Sequence, residues 1–317
     1  MDLNYHNKVD SRNINTLCFS GGGALGLAYA GVVEELAKRG ILDNTKTFVG
    51  SSAGSIISMV LALGYEPAKV IEIVRTTEFA KFLDAPFVDL AKIIKDPNYL
   101  TKHPEQMALI AVNLFGTFAM CAGEVAREWL QKLITDAGFN KDITFRQLKK
   151  NTGNTLIVTV CDLAHTKEWY VNPKDNPDIK VLDAVNTSMS IPFVFRPRDV
   201  FNTGNRGVVD GGTVDNYPVT ELTDWLGFIL ETKESVLKPV YKPINTIFDY
   251  ISGLVDTLRA TKYNEVFGKQ ENIDRTIFID PLGLGSLDFD MSPEQKEALV
   301  NSGKKAVQSY FKEDIDG

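Results

Sequence analysis

The 317-residue sequence contains only three histidines and three cysteines, and both shortages limit the chemistry it can carry. Cys18, Cys121 and Cys161 lack paired spacing, so the sequence predicts neither a disulfide framework nor a zinc site, and we expect buried free thiols. Positive charge is also in deficit, since the formal net charge is −7. This balance argues against nucleic acid as a partner and against electrostatic attachment to anionic membranes, so any contact with a lipid surface would be mainly apolar.

The polar N-terminal segment lacks the apolar stretch of a secretory signal, so we expect a cytoplasmic protein with transient peripheral contact with membranes. Repeats and low-complexity tracts are absent from the sequence as well. We expect a polar arm over residues 1–14 and a single α/β domain over residues 15–317. Within that domain, the sequence predicts a helical cap or insertion at about 66–150 and a C-terminal helical portion at about 240–317.

One long stretch without charge does occur, from Met107 to Gly123. It is short for a bilayer of ~30 Å and is interrupted by polar residues, so a buried helix is favoured over a membrane span. Two interpretations of its apolar side chains remain open, namely core packing and an apolar cap or membrane-contacting surface near the active site. These side chains are Met107, Leu109, Ile110, Leu114, Phe115, Phe118 and Met120.

A Gly-x-Ser-x-Gly motif with Ser52 at its centre lies between a short apolar strand, residues 47–49, and a helix that is apolar nearly all round. Gly50 and Gly54 would let a sharp turn pass close to its neighbours while Ser52 points outward. A flexible loop of the same composition is the plainer alternative, but such loops rarely lie between two apolar elements. The pattern therefore favours a nucleophile elbow with Ser52 as the nucleophile.

A run of glycines follows the first predicted strand, residues 15–19, and opens a helix. Gly21, Gly23 and Gly26 match the dinucleotide-binding fingerprint, yet the second strand ends in serines where that fingerprint needs an acidic residue for the ribose. The alternative is an oxyanion hole built from main-chain amides, with Gly21, Gly22, Gly23 and Ala24 as candidates. Two consecutive strand, glycine turn and helix units also predict neighbouring parallel strands.

Ser52 needs a base, and none of the three histidines suits that role. His6 lies in the polar arm, His103 stands beside a proline, and His165 is at the tip of a hairpin predicted from residues 155–172. The remaining candidate is Asp210, which follows the short strand 207–209 and precedes two glycines. Burial would raise the pKa of Asp210 and nearby amides would lower it, and the sequence leaves that balance open.

The C-terminal third reads as strands near residues 227–230 and 276–279, a helix over residues 244–261, and a final helix that begins after Ser292. We expect the helix over residues 244–261 to be amphipathic. Its predicted inward face comprises Ile247, Ile251, Leu254, Val255 and Leu258.

Together the glycine run 21–26, the motif 50–54 and Asp210-Gly211-Gly212 resemble the patatin-like phospholipase family in order and spacing. Residues 188–195 and 216–218 resemble the segments that flank the aspartate in that family, and the resemblance spans about residues 17–218. It implies a three-layer α/β/α fold with a mainly parallel central sheet. The family usually has Arg or Lys where this chain has Leu25, which bears on head-group preference.

The resemblance also implies a function, namely hydrolysis of phospholipid or other acyl-lipid esters through an acyl-enzyme, with no cofactor and no metal. Ser52 would be the nucleophile and Asp210 its base, with the oxyanion hole around Gly22 and Gly23. An activator would suit so destructive an activity, but no residue identifies one. Two alternatives stay open, a non-catalytic lipid-binding protein on the same fold and a dinucleotide-dependent oxidoreductase.

Overall fold

The computed structural model describes residues 14–85, 90–96, 98–204, 206–220, 222–238, 241 and 243–312. The polar arm predicted for residues 1–14, with His6, therefore lies outside the described residues except for Ile14. Within the predicted helical region 66–150, residues 86–89 and 97 also lie outside them. The division into an arm, a cap and a C-terminal portion stays a prediction.

A mainly parallel sheet forms the centre of the molecule, as predicted. Among the described residues, seven strands take part, in the order β5-β4-β2-β1-β8-β9 with β7 paired to β4, while β3 and β6 form a separate parallel pair. The strands are β1 (Thr16–Phe19), β2 (Thr47–Ser51), β3 (Ala119–Cys121), β4 (Thr155–Asp162), β5 (Lys167–Val171), β6 (Phe193–Phe195), β7 (Val208–Asp210), β8 (Trp225–Ile229) and β9 (Thr276–Phe278).

Helices connect most of these strands, as parallel pairing requires. They are α1 (Tyr29–Lys38), α2 (Ile41–Asn44), α3 (Ala53–Ala62), α4 (Pro67–Thr76), α5 (Leu90–Lys95), α6 (Tyr99–Lys102), α7 (Pro104–Thr117), α8 (Glu124–Asp136), α9 (Phe145–Thr152), α10 (Val181–Ser188), α11 (Lys233–Leu237), α12 (Ile247–Phe267), α13 (Gln270–Asp274) and α14 (Pro293–Lys312). Short 3₁₀ turns cover Gly23–Ala28, Phe79–Phe82 and Gly211–Thr213.

The sheet buries apolar side chains on both faces, which explains why its strands are nearly continuous apolar runs. Leu17 and Phe19 of β1 join the larger core, whereas Cys18, between them, joins a smaller core on the opposite face. The smaller core also contains Val266 and Phe267 at the end of α12. Helices therefore cover both faces, in agreement with the predicted three-layer fold.

Helices α1 and α14 pack closely in the larger layer because glycine occupies the contact on each side. A Cβ at Gly31 would collide with the carbonyl of Val300, and one at Gly303 would collide with the carbonyl of Ala28. The close approach fixes α1, and with it the glycine-rich turn just before it, against the C-terminal helix.

The register of β4 brings the ends of β2 and β7 together. Strand β2 pairs in parallel with residues 155–159 of β4, and β7 pairs antiparallel with residues 160–162. Because β5 pairs with residues 158–162, it overlaps both and must occupy the opposite edge. Strands β2 and β7 therefore lie along the same edge of β4 with their carboxyl ends adjacent. Ser51 is opposite Thr159, and Asp210 is opposite Val160.

The uncharged stretch from Met107 to Gly123 is not a buried helix, so that expectation was wrong. Helix α7 has no buried residue, and Phe115 at 88% and Phe118 at 56% are among the exposed apolar side chains. The following strand β3 is buried, as is Gly123 at the end of the stretch. Among the described residues, no helix has both the length and the apolar content to cross a membrane.

Helix α12 is also oriented differently from its predicted amphipathic face. Leu254 and Leu258 are exposed at 47% and 55%, whereas Ile251 is buried. Ile251 and Val255 face the same cavity as Arg259, one further turn along the helix. The cavity-facing side of α12 therefore includes the charged residue Arg259, although the spacing of apolar residues alone predicts that Arg259 faces solvent.

Candidate active site

The turn between β2 and α3 is built around two glycines that leave no room for a side chain. A Cβ at Gly50 would collide with the backbone of Gly54, and a Cβ at Gly54 would collide with the carbonyl of Phe19. This packing gives a physical reason for both glycines of the Gly-x-Ser-x-Gly motif, because any larger residue would push β1, β2 and α3 apart.

Ser52 occupies the tip of this turn in a strained conformation, with φ 51° and ψ −123°. Its amide donates to Ser188 Oγ at 2.9 Å, and that hydroxyl donates to the Thr159 carbonyl at 2.7 Å. Its own carbonyl accepts bonds from the amide and the hydroxyl of Ser55 at 2.9 and 2.6 Å. The surrounding structure thus holds a backbone conformation that L residues rarely adopt.

This strain predicts an unusual order of stability among variants at position 52. Both Ser52→Gly and Ser52→Ala lose the serine hydroxyl, but only glycine relieves a strain of about 1–3 kcal/mol. Although glycine normally lowers stability relative to alanine, we expect the Gly variant to exceed the Ala variant by about 1 kcal/mol in the free energy of unfolding. Urea denaturation of both proteins measures the difference, and an Ala variant of equal or greater stability would contradict the strain.

Asp210 faces Ser52 directly. The hydroxyl of Ser52 donates to Asp210 Oδ2 at 2.6 Å, and the Gly212 amide donates to Asp210 Oδ1 at 2.6 Å. The Asp210 amide in turn donates to the Ser190 carbonyl at 2.9 Å. Ser52 and Asp210 are only 5% and 4% exposed, so this pair is held in a fixed geometry away from bulk water.

Burial affects the pKa of Asp210 more strongly than the surrounding hydrogen bonds do. Burial raises the pKa of Asp210 to about 6, although hydrogen bonds from Ser52 and Gly212 and the charge of Arg259 act in the opposite direction. A carboxyl with this pKa is ionised at neutral pH and is a stronger base than an ordinary aspartate. It can therefore accept a proton from the hydroxyl that it already contacts.

The glycine-rich turn after β1 supplies free amides beside Ser52. The amide of Gly21 donates to the Asn216 carbonyl at 3.1 Å and that of Ala24 to the Ser286 carbonyl at 2.9 Å, so two of the four candidate amides are already engaged. The amides of Gly22 and Gly23 make no hydrogen bond to any described residue, and both residues line a cavity with Ser52. The amides of Gly22 and Gly23 are therefore the remaining candidates for the oxyanion hole.

Gly23 is required for the shape of this turn, since its φ is +54° and a Cβ there would collide with the Ser286 carbonyl. Leu25, which stands where a basic residue was expected from the resemblance, is only 6% exposed and packs in the larger core. Its position is therefore one that suits an apolar side chain.

The described histidines lie elsewhere. His165 is at the predicted hairpin tip, with Nδ1 2.7 Å from Asp162 Oδ2, and His103 is exposed with Nδ1 3.2 Å from Glu105 Oε1. The three cysteines are buried and free, as expected. Within the described ranges, no three His, Cys, Asp or Glu side chains cluster in a way that could hold a metal ion.

Two cavities meet at Ser52 and Gly23. The first is apolar and encloses about 710 Å³ counting its open mouth. Its walls come from α3, α4, α8 and the turn at Phe79–Phe82, and include Ile57, Val60, Val74, Phe82, Trp129 and Phe195. The second contains more polar groups and reaches under α12 to Arg259, a residue that the sequence did not single out.

Comparisons with known proteins find relatives in viruses and in a bacterium. Protein R571 of Acanthamoeba polyphaga mimivirus is 29% identical over 96% of both chains, and YqhO of Bacillus subtilis is 28% identical over 93% of this chain and 97% of its own length. Probable lipid hydrolase 463L of Invertebrate iridescent virus 6 is 25% identical over 68% of this chain and 65% of its own.

The fold is also found among solved structures. VipD from Legionella pneumophila aligns over 95% of this chain and 67% of its own length, with a TM-score of 0.60 and 20% sequence identity, which shows a shared fold. The model of one family, patatin-like phospholipase, matches residues 17–223, a segment that contains the glycine-rich turn, Ser52 and Asp210. With more than half of its length matched, the chain belongs to the patatin-like phospholipase family.

Proposed function

We propose that this protein is a lipid acyl hydrolase of the phospholipase A or lysophospholipase type, acting through a Ser52–Asp210 dyad. The observation that carries the proposal is the 2.6 Å hydrogen bond from the Ser52 hydroxyl to Asp210, at the junction of two cavities. Family membership supports a lipid ester as the substrate, and the name of the viral relative, probable lipid hydrolase, points to the same class.

The reaction would proceed in two halves. Asp210 accepts the hydroxyl proton as Ser52 Oγ attacks the ester carbonyl, and the amides of Gly22 and Gly23 stabilise the resulting oxyanion. The bond to the alcohol then breaks, and Asp210 returns the proton to the leaving oxygen. In the second half, Asp210 deprotonates a water molecule that attacks the acyl-enzyme, which releases the fatty acid and restores the serine hydroxyl.

The apolar cavity suits the acyl chain. It begins at Ser52 and Gly23 and continues between aliphatic and aromatic side chains from α3, α4 and α8. Transfer of each CH₂ group of an acyl chain into such a cavity is worth about 0.8 kcal/mol, so a long chain would contribute much of the binding free energy. This lining favours fatty-acyl esters over small polar esters.

Helix α7 suits transient contact with a membrane, as one interpretation of its sequence suggested. Its exposed apolar side chains include Val112 at 69% and Phe115 at 88%. Strand β3, which follows α7, pairs with β6, whose Phe195 lines the apolar cavity and whose Phe193 is exposed. The exposed surface is thus linked to the cavity wall, and contact through it would be apolar, as the net charge of −7 requires.

The raised pKa of Asp210 predicts a pH dependence. The base must be ionised, so kcat/KM should be level above about pH 7 and should fall tenfold per pH unit below about pH 6. Initial rates on p-nitrophenyl butyrate from pH 4.5 to 8.5 give the profile, with circular dichroism confirming the fold at each pH. A profile that stays flat down to pH 5 would contradict Asp210 as the base.

Labelling with a fluorophosphonate tests the proposal as a whole. An activated serine displaces fluoride from the probe, so intact-mass spectrometry should show one adduct on the wild type, none on Ser52→Ala and strongly slowed labelling on Asp210→Asn. Absence of an adduct in the presence of lipid vesicles and cell extract, which would supply any activator, would overturn the proposal. Flotation of the unlabelled protein with liposomes would then favour a non-catalytic lipid-binding role.

A further inference from the structure

The second cavity at Ser52 shares Gly23, Ser52 and Ile191 with the apolar cavity that we assign to the acyl chain. It encloses about 530 Å³ counting its open mouth, and its polar wall includes Asp210, Asn216, Ser252 and Arg259. If the acyl chain occupies the apolar cavity, the alcohol half of the ester must extend into this one, because the two cavities meet at the nucleophile. The chemistry of this wall therefore determines which alcohols the enzyme accepts.

Arg259, on the polar wall of this cavity, has hydrogen-bond donors for which the fold provides no acceptors. A guanidinium has five N–H donors, and those of Arg259 form no hydrogen bond to any described residue. Its Nε is fully buried, and the side chain as a whole is only 21% exposed. The ion pair with Asp256 on the same helix is 3.7 Å long, beyond hydrogen-bond range. A buried donor without an acceptor is destabilising, so Nε favours an acceptor from outside the chain.

The chemistry of the guanidinium narrows the choice of acceptor. Its planar fork matches the oxygens of a phosphate and binds two of them at once, which a lysine cannot reproduce. Asp210, Glu231 and Asp256 all act on Arg259 electrostatically, so the site already holds negative charge. A phosphodiester, with a single negative charge, fits beside these carboxylates better than a doubly charged phosphomonoester.

Arg259 is also the one basic side chain among the described residues that line this cavity. The glycine-rich turn, residues 21–26, contains no basic residue. We propose that Arg259 binds the phosphodiester of a glycerophospholipid or lysophospholipid and so selects phospholipids over neutral acylglycerols. This inference rests on the proposed ester hydrolysis at Ser52 and adds the recognition of the alcohol half.

The competing role for Arg259 is purely electrostatic. Its charge lowers the pKa of Asp210, so its removal would raise that pKa and shift the pH profile upward for every substrate alike. Recognition of phosphate instead changes one substrate relative to another at a fixed pH. The ratio of two rates therefore separates the roles, because any effect on Asp210 cancels in it.

The test compares 1-palmitoyl lysophosphatidylcholine with 1-palmitoylglycerol in the same detergent micelles at pH 8. For Arg259→Gln, the ratio of kcat/KM values, lysophospholipid over acylglycerol, should fall roughly 10- to 100-fold relative to the wild type. Arg259→Lys should recover part of that ratio. Lys262→Gln is the matched control, since Lys262 lies on the same helix but pairs with Glu168 outside this cavity, and its ratio should stay within about threefold.

An unchanged ratio in Arg259→Gln overturns the inference while leaving ester hydrolysis intact, as does a wild type that cleaves only the acylglycerol. If the wild type cleaves neither ester and takes up no fluorophosphonate, the proposed function itself fails. In that case, a binding measurement tests the role of Arg259 without relying on catalysis. An ether-linked lysophosphatidylcholine, added below its micellar concentration, should raise the Tm of the wild type but not of Arg259→Gln, and equal shifts overturn the assignment.

Discussion

Asp210→Asn and Ser52→Ala should each lower the turnover of a lysophospholipid by at least ~10⁴-fold, and the double variant should be no worse than either single variant. The reason is that in the proposed dyad the two side chains act as one unit through a single 2.6 Å hydrogen bond, so either loss would remove the activated nucleophile. Fatty-acid release measured by mass spectrometry covers this range. Losses that multiply in the double variant would contradict a dyad.

Asp215→Asn is the matched control for the aspartate. Asp215 is also buried, with a pKa raised by burial, but it accepts its hydrogen bonds from Tyr170 and the Tyr217 amide and does not contact Ser52. This variant should lose stability and keep most of its kcat. A 10⁴-fold loss in Asp215→Asn would mean that any buried aspartate near the sheet edge matters equally.

The free energy of unfolding of Asp210→Asn provides a second test of the raised pKa of Asp210. The folded-state pKa of about 6 lies above the ordinary 3.8, so the native state binds this proton more tightly than the unfolded chain does. The resulting stabilisation is complete below about pH 4 and is lost as the pH rises through 6. At pH 8 the Asn variant should therefore match or exceed the wild type, by roughly 3 kcal/mol at most, and the difference should shrink toward pH 4.

Gly23→Ala should lower kcat by about 10²–10³-fold, the loss typical of a missing oxyanion-hole donor. The added Cβ would collide with the Ser286 carbonyl, and φ at this position is +54°, so the turn must shift and displace the Gly22 and Gly23 amides. Fluorophosphonate labelling should slow as well, because its transition state also develops negative charge beside Ser52. Single-turnover kinetics measure the chemical step directly.

Gly64→Ala provides the control for backbone strain. Gly64 also has a positive φ, +84°, but a Cβ there meets nothing within 4 Å, and the residue follows α3 at the end away from Ser52. We expect this variant to lose about 1–2 kcal/mol of stability and to keep its kcat. If both glycine variants lose activity equally, general loosening rather than amide position explains the effect.

Local patterns predicted the parts of the site that depend on neighbouring residues. The turn at Ser52 and the turn after β1 each lie between an apolar strand and an apolar helix, and both elements occur where the sequence placed them. Their parallel pairing also followed from the order of the elements. These features are predictable because strand, turn and helix are specified within about fifteen residues.

Contacts between distant residues were harder to predict. Strand β7 has only three residues and no periodicity, so nothing in it indicates that it runs antiparallel to β4 and meets β2 head to head. Arg259 was missed because a single arginine in an amphipathic helix normally faces water. The available signal was its spacing, four residues after Val255 and eight after Ile251, the two apolar residues that do face the cavity.

The hydrogen bond from the Ala24 amide to the Ser286 carbonyl has a consequence for biosynthesis. These residues are 262 positions apart, so at ~5–20 residues per second the ribosome needs about 13–52 s to supply the partner. During that interval the nascent chain already carries Ser52 and, later, Asp210, while the glycine-rich turn lacks the contact that fixes it. Completion of the proposed oxyanion-binding turn is thus delayed until translation has passed Ser286, which, under the proposed function, postpones full hydrolytic competence until most of the protein has been made.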